Sequence, residues 1–234
     1  MSSSSPRRVH ALIVCAGRGQ RMGGGVPKQY RTLGGTAILR RTAVAFLDHQ
    51  AVSGVMVVIH PDDRPLYDAA VAGLPLLPPV HGGASRDASV RLGLEALEAE
   101  APDCVLIHDG VRPFVTAATI AAVTEALTSG PAAIAAMPVF DTIKRCEGGV
   151  ITATIERAPL WRAQTPQGFH YATILAAHRA AASRPGHLPA FTDDAAVAEE
   201  AGIPVRVVEG TEDNFKITTE ADLRRAERHL RELL

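Results

Sequence analysis

Basic residues and glycines crowd one short stretch, Ala16-Gly17-Arg18-Gly19-Gln20-Arg21-Met22-Gly23-Gly24-Gly25-Val26-Pro27-Lys28. Glycine removes the Cβ and lets backbone N–H groups approach an anion. Arg18, Arg21 and Lys28 place three positive charges within eleven residues, and guanidinium and ammonium groups are the side chains that grip phosphate. These residue types at this spacing suit a polyphosphate. Two common phosphate-binding patterns do not fit. G-x-G-x-x-G is met by Gly17 and Gly19 but broken by Met22, and in G-x-x-x-x-G-K-[ST] the pair Gly19 and Gly24 is followed by Gly25-Val26. The plain alternative is a basic surface loop. Five glycines in nine residues, directly after the apolar run Val9–Cys15, weigh against it.

Three further clusters could carry chemistry. Gly82-Gly83-Ala84-Ser85-Arg86-Asp87-Ala88-Ser89 opens a predicted helix, whose first N–H groups are available to an anion or a base. His108-Asp109-Gly110-Val111-Arg112-Pro113 ends one predicted strand, and Asp213-Asn214-Phe215-Lys216 follows another. Ligands of open α/β sheets bind beyond the carboxyl ends of the strands, where these clusters fall.

The elements that must position them alternate. Val9–Cys15 and residues 55–59, 104–107, 132–139 and 205–208 are short apolar runs that read as buried strands. Ile38–Leu47 places Ile38, Leu39, Thr42, Ala45 and Phe46 on one helical face. Residues 65–71, 86–98 and 117–127 and Tyr171–Ala182 also read as helices. So do residues 192–201, with Thr192 as N-cap, and a last helix opened by the capping box Thr219-Glu220-Ala221-Asp222. Three prolines in residues 74–80 allow at best a short edge strand. The pattern is that of an α/β domain with a mostly parallel sheet. Residues 139–160 break it. Residues 141–146 and 150–156, joined by Glu147-Gly148-Gly149, read as a β-hairpin too apolar to stand alone. Regular α/β character resumes after Gln167.

Composition bounds the partners. The chain has 234 residues, 47% hydrophobic and 21% charged, enough for one large domain. Aromatic residues at 4% argue against stacking on single-stranded nucleic acid, and a net charge of −1 supplies no field for nucleic acid or membrane. Cys15, Cys104 and Cys146 lack metal-ligand spacing, and so sparse a count points to a reducing compartment. No apolar run approaches the ~20 residues of a membrane span. Arg7-Arg8 and the short run after them lack a leader's cleavage site, and Ser2-Ser3-Ser4-Ser5 reads as a disordered tail. The expectation is a cytoplasmic protein.

The motif Ala16-Gly17-x-Gly19-x-Arg21-Met22, followed by Pro27-Lys28-Gln29-Tyr30, resembles the signature loop of nucleotidyltransferases acting on sugar and polyol phosphates. The Pro-Lys-Gln-Tyr ending is similar to that of the 2-C-methyl-D-erythritol 4-phosphate cytidylyltransferases of the non-mevalonate isoprenoid pathway. The other clusters match the same family, as do Asp141-Thr142-x-Lys144-Arg145 and Arg157-x-x-Leu160-Trp161-x-x-Gln164-Thr165-Pro166-Gln167, so the resemblance runs from Ala16 to Lys216. It implies a Rossmann-like nucleotidyltransferase fold in a single domain, with a β-hairpin arm at about 139–160 that reaches across to a second subunit of a homodimer. It implies Arg21, Lys28 and Lys216 as catalytic residues gripping the triphosphate. Cys15, Ala16, Gly17, Gly19, Gly83, Ser89 and Asp109 would bind CTP, with Gly83 and Ser89 reading the base chiefly through backbone groups. Asp109 would also meet Mg²⁺, and Arg112, Thr142 and Arg157 would hold the polyol phosphate acceptor. Cys15 and Gly110 stand where many members have alanine.

Nothing in the chain orders a Ser–His–Asp or Cys–His set, and nucleotidyl transfer to a phosphate monoester needs none. The second pKa of a monoester is about 6, so the nucleophile is already largely ionised at neutral pH. Two other functions fit parts of the pattern: a cytidylyltransferase for another polyol phosphate such as ribitol 5-phosphate, and a non-catalytic nucleotide-binding module. Plainer roles are expected for four residues outside the clusters' core. Trp161 reads as a packing residue, His108 as a strand-end residue with no need of its imidazole, and Asp193-Asp194 as helix-dipole partners rather than metal ligands.

Overall fold

The computed structural model describes residues 7–18, 25–184 and 191–233. The serine-rich tail, Gly19 and Arg21 lie outside them. The first strand, β1 (Val9–Cys15), alternates strictly. Ala11, Ile13 and Cys15 face one apolar layer and Leu12 the other, the two-residue period of a strand buried on both faces. A two-residue ribbon, β2 (Thr32–Leu33) and β3 (Thr36–Ala37), leads to helix α1 (Ile38–Leu47). Then come β4 (Val52–Ile59), α2 (Arg64–Ala70), β5 (Val80–His81), α3 (Arg86–Ala96), β6 (Cys104–Asp109), α4 (Ala117–Ala126) and β7 (Ala132–Pro138). The hairpin β8 (Ile143–Glu147) and β9 (Val150–Ile155) follows, then β10 (Trp161–His170), α5 (Tyr171–Ala182), α6 (Asp194–Glu200), β11 (Val205–Glu209) and α7 (Glu220–Glu232).

Seven strands form one sheet in the order β11-β7-β10-β6-β1-β4-β5. All pairs are parallel except those of β10, which runs antiparallel to both β6 and β7. Leu39 and Phe46 of α1 and Ile120 and Val123 of α4 cover one face. Val90 and Leu94 of α3, Ile174 of α5 and Val197 of α6 cover the other. A third, smaller apolar cluster joins Leu33, Ile38, Val111, Ile217 and Leu223, and so seats α7 beside β2 and the segment after β6. The expected hairpin is a separate two-stranded sheet.

No strand is expected from the sequence where β10 lies. Residues 164–168 are Gln-Thr-Pro-Gln-Gly, polar and broken by a proline, which argues against a central strand. The structure accommodates Pro166 at a break in the β10–β7 register between Ala163 and Gln167, and the buried glutamines and threonine find partners within the fold. Two smaller expectations also change. The N-cap of α6 is Asp193, whose carboxylate accepts from Ala196 N, rather than Thr192. Trp161 is 46% exposed at the start of β10, so only about half of it is packed within this chain. The capping box at Thr219 and Asp222 forms as expected.

Candidate active site

β1, β4 and β6 end side by side, and a cleft of about 450 Å³ opens beyond their carboxyl ends. Its walls include Cys15, Ala16, Gly17, Lys28, Gly83, Ser89, Asp109 and Lys216. Eight of the expected site residues, drawn from four separate stretches, therefore line one space. Gly19 and Arg21 lie outside the described residues. Arg18 lines the cleft too, but its guanidinium is held by Asp62 at 2.5 Å and stands near His60 on the turn after β4.

Lys28 heads a single 3-10 turn, Lys28–Tyr30. Gln29 and Tyr30 bury themselves beneath it, and Gln29 Nε2 donates to the Cys15 carbonyl at 2.8 Å. That bond ties the lysine turn to the end of β1. Arg31, next in line, pairs with Glu220 at the start of α7. Burial pushes the Cys15 thiol well above its ordinary pKa, which leaves it protonated and inert. Gly82 fits against this loop only because it lacks a side chain. A Cβ there would stand 2.3 Å from that of Ala16 and 2.7 Å from Ser89 Oγ. The Ser89 hydroxyl accepts from Gly83 N at 3.1 Å and donates to Ser85 O at 2.8 Å, and Ser89 N donates to Ser85 O. The two residues named as base contacts thus brace each other. Gly83 O and the second lone pair of Ser89 Oγ are the acceptors they retain.

Asp109 sits at the centre of the charges. Its Oδ2 is 3.1 Å from both Lys216 Nζ and Arg112 Nε. Burial opposes ionisation, but Lys216, Arg112 and Arg86 together outweigh it and hold the carboxyl well below its usual range. Neutral groups fix this constellation from below. Arg112 Nη1 donates to Asn214 O at 2.7 Å, and Asn214 Nδ2 donates to Thr165 O at 2.7 Å and Gln164 Oε1 at 3.2 Å. Ile217 N donates to Val111 O, which pins the segment carrying Lys216 to the one carrying Arg112. His108, fully buried, is the correction to its expected plain role. Burial lowers its pKa to about 4, so the ring is neutral. Arg112 O can only accept, so Nε2 carries the proton and donates to it at 3.1 Å. Nδ1 then accepts from Thr165 Oγ1 at 2.9 Å, while Thr165 Oγ1 accepts from Asp109 N at 3.1 Å. The imidazole orients Thr165 and the Asp109 backbone rather than shuttling protons.

A second cavity of about 240 Å³ adjoins the first and is lined by Arg112, Gln164, Thr165, Gln167 and Asp193 among others. Arg112 lines this cavity and not the first. Thr142 and Arg157 line neither cavity. Thr142 is exposed, and Arg157 bonds the Phe140 carbonyl at the base of the arm. Gln29, Gln164, Thr165 and Asn214 lie within the matched motifs but carry none of the expected roles. Their signal was being polar next to glycine-rich or charged residues, yet nothing local showed that they would be buried. No group of three or more His, Cys, Asp or Glu side chains with metal-site geometry occurs among the described residues. Among the described residues that line the first cavity, Asp109 is the one carboxylate. A single carboxylate fits a cation that takes most of its ligands from water and phosphate.

A mostly parallel sheet with a basic, glycine-rich cleft beyond its strand ends is the arrangement in which open α/β folds bind phosphorylated ligands. The sequence profile of the family described as 2-C-methyl-D-erythritol 4-phosphate cytidylyltransferase (IspD) matches residues 9–232. The chain belongs to that family. It is 59% identical over 225 residues to a bifunctional enzyme IspD/IspF of Rhodospirillum rubrum, covering 96% of this chain and 57% of that protein. A protein of the same description from Paramagnetospirillum magneticum is 56% identical over 215 residues, covering 92% and 55%. The chain spans about half the length of these curated relatives. The solved structure of 4-diphosphocytidyl-2C-methyl-D-erythritol synthase from Anaerococcus prevotii superposes with a TM-score of 0.85 at 27% identity, covering 97% of this chain and all of that one. No helix among the described residues is long and apolar enough to cross a membrane.

Proposed function

We propose that the chain transfers a cytidylyl group from CTP to 2-C-methyl-D-erythritol 4-phosphate, releasing pyrophosphate. The observation that carries this is the meeting of Lys28, Lys216 and Asp109 in one cleft of a chain that belongs to this family. The acceptor phosphate is already ionised, so the residues' task is to bring two polyanions together and stabilise the charge that grows at the α-phosphate. Lys28 and Lys216, with Arg21, hold the triphosphate. Lys216 and Arg112, now neutralised by Asp109, exchange that partner for phosphate oxygens when substrates enter. The acceptors left on Gly83 and Ser89 suit the exocyclic amine of cytosine. Mg²⁺, held by Asp109 and phosphate oxygens, would supply further neutralisation of the triphosphate. Body and arm form one unit, and the arm carries Thr142 and Arg157 into the acceptor cavity of a second copy in a C₂ homodimer. Three free thiols suit a cytoplasmic location.

Pyrophosphate release with CTP, UTP or ATP, and with 2-C-methyl-D-erythritol 4-phosphate or ribitol 5-phosphate, tests the reading. Turnover should require CTP and the erythritol phosphate. Comparable kcat/KM for the three nucleotides would sink the cytidylyl assignment, and preference for ribitol 5-phosphate would reassign the acceptor. CTP binding without release would leave a non-catalytic module.

A further inference from the structure

Three described residues line both cavities: Asp109, Lys216 and Arg86. The first two already have roles. Arg86 begins α3, and its side chain is three-quarters covered. Nη2 donates to Asp194 Oδ2 at 2.7 Å. Asp194 is fully buried at the start of α6, and its other oxygen is 3.3 Å from Nε2 of the buried His178 on α5. Gln167 on β10 accepts from Asp194 N and Ala195 N at 3.0 and 2.9 Å, which fixes the carboxylate's backbone. Asp194 is thus a buried ion-pair partner rather than a mere helix-dipole residue. Burying a carboxylate is costly unless it is paired. Here the pair holds one planar, five-donor cation at the mouth between two cavities, with donors beyond the one spent on Asp194.

We infer that Arg86 is a further catalytic residue, contacting phosphate oxygens where the two cavities meet, with Asp194 and His178 as the residues that position it. The inference rests on the cytidylyl-transfer reading. In that reaction an acceptor phosphate oxygen forms a bond to the α-phosphorus of CTP. The bond from that phosphorus to the oxygen bridging to the β-phosphorus breaks, and pyrophosphate leaves with the electron pair. Charge gathers on the α-phosphate's non-bridging oxygens, and a guanidinium fork can take two of them, or one from each reacting phosphate. Coulombic coupling supports the placement: burial disfavours the Arg86 charge, yet Asp194 and then Asp109 raise its pKa above the ordinary value.

The test compares Arg86→Lys, Arg86→Met and Asp194→Asn with the wild type in steady-state pyrophosphate release, with CTP affinity by calorimetry and thermal melting alongside. Arg86→Met should lower kcat about 10²–10³-fold, the scale of one lost transition-state donor, with the CTP Kd changed less than threefold. Arg86→Lys keeps a cation for Asp194 and should melt near the wild type, yet lose at least about tenfold in kcat, because an ammonium cannot bond Asp194 and fork onto phosphate together. Asp194→Asn should lower kcat with KM for CTP nearly unchanged. A folded Arg86→Lys with wild-type kcat, or losses confined to melting temperature or CTP affinity, would overturn the inference alone. A wild type that binds CTP but releases no pyrophosphate would overturn the cytidylyl-transfer reading, and this inference with it.

Discussion

Around the cleft, buried neutral groups hold the charged ones in place: Gln29 under Lys28, Asn214 and Thr165 under Arg112, and His108 under Thr165 and Asp109. On the β8–β9 arm the relation is reversed. Phe140, Val150 and Ile151 are 64%, 67% and 61% exposed, and the Arg157 side chain bonds, among the described residues, a carbonyl at the arm's own base. A buried polar network braced within one chain favours a single arrangement. An exposed apolar hairpin is marginal in water and gains from burial against another surface. The cleft's charged groups are braced from within the chain, whereas the arm leaves its apolar side chains exposed, and the proposed exchange of arms between two copies would cover them.

The largest effect should fall in the cleft. Lys28→Ala and Lys216→Ala should each lower kcat about 10²–10³-fold with the fold retained. Steady-state kinetics beside circular dichroism checks this, and near-normal turnover of either folded variant would remove that lysine from the site. Arg157→Ala should be comparably impaired, but for the other reason. Mixing it with Lys28→Ala under subunit exchange pairs an intact loop with an intact arm. Half of the randomly exchanged dimers are then mixed, and each has one whole site, so about a quarter of all sites should recover. No recovery despite verified exchange would place Arg157 in its own subunit's site and erase the contrast between the two regions.

The body's burial should also show in acid. His108 takes up a proton near pH 6.5 when unfolded but resists it to about pH 4 when folded. The unfolded state therefore binds more protons in that window, and stability falls as pH drops through it. The contribution is on the order of 3 kcal/mol. His10 is lowered by burial as well and adds the same sign, so His108→Gln should flatten the slope without abolishing it in denaturant titrations at pH 4–7. Asp109, with its pKa depressed, loses its contribution only at still lower pH.

A smaller effect separates packed from unpacked. A Cβ at Gly110 would lie 1.9 Å from Cys15 Sγ, so Gly110→Ala should cost about 1–3 kcal/mol by overpacking. Cys15→Ala in the same chain should restore most of it. The two departures from the family's alanines thus form one compensating pair. Ile151→Thr on the arm should move the stability of an isolated subunit by less than about 0.5 kcal/mol, as thermal melts at dilutions below dimerisation would show. Equal costs at the two sites would mean that the arm packs on its own body.

Much was legible in the chain because its signals are local. Short β-branched runs between amphipathic helices announce a parallel sheet, and glycines beside Lys28, Asp109 and Lys216 announce an anion site, since strand ends are where such sheets bind ligands. Cys15 and Gly110 are 95 residues apart, and nothing local to either shows that they touch. The tertiary structure decided what depends on partners distant in sequence. Gln164, Thr165 and Gln167 look like loop residues until β6, α6 and the segment after β11 supply their hydrogen bonds, which is what allows β10 to be central. Asp194 looks like a helix cap's neighbour until Arg86, 108 residues earlier, arrives to pair with it. Apolar periodicity is written into neighbouring residues, but the burial of a polar group is stable only once the fold brings its complement, and no single stretch of sequence carries both.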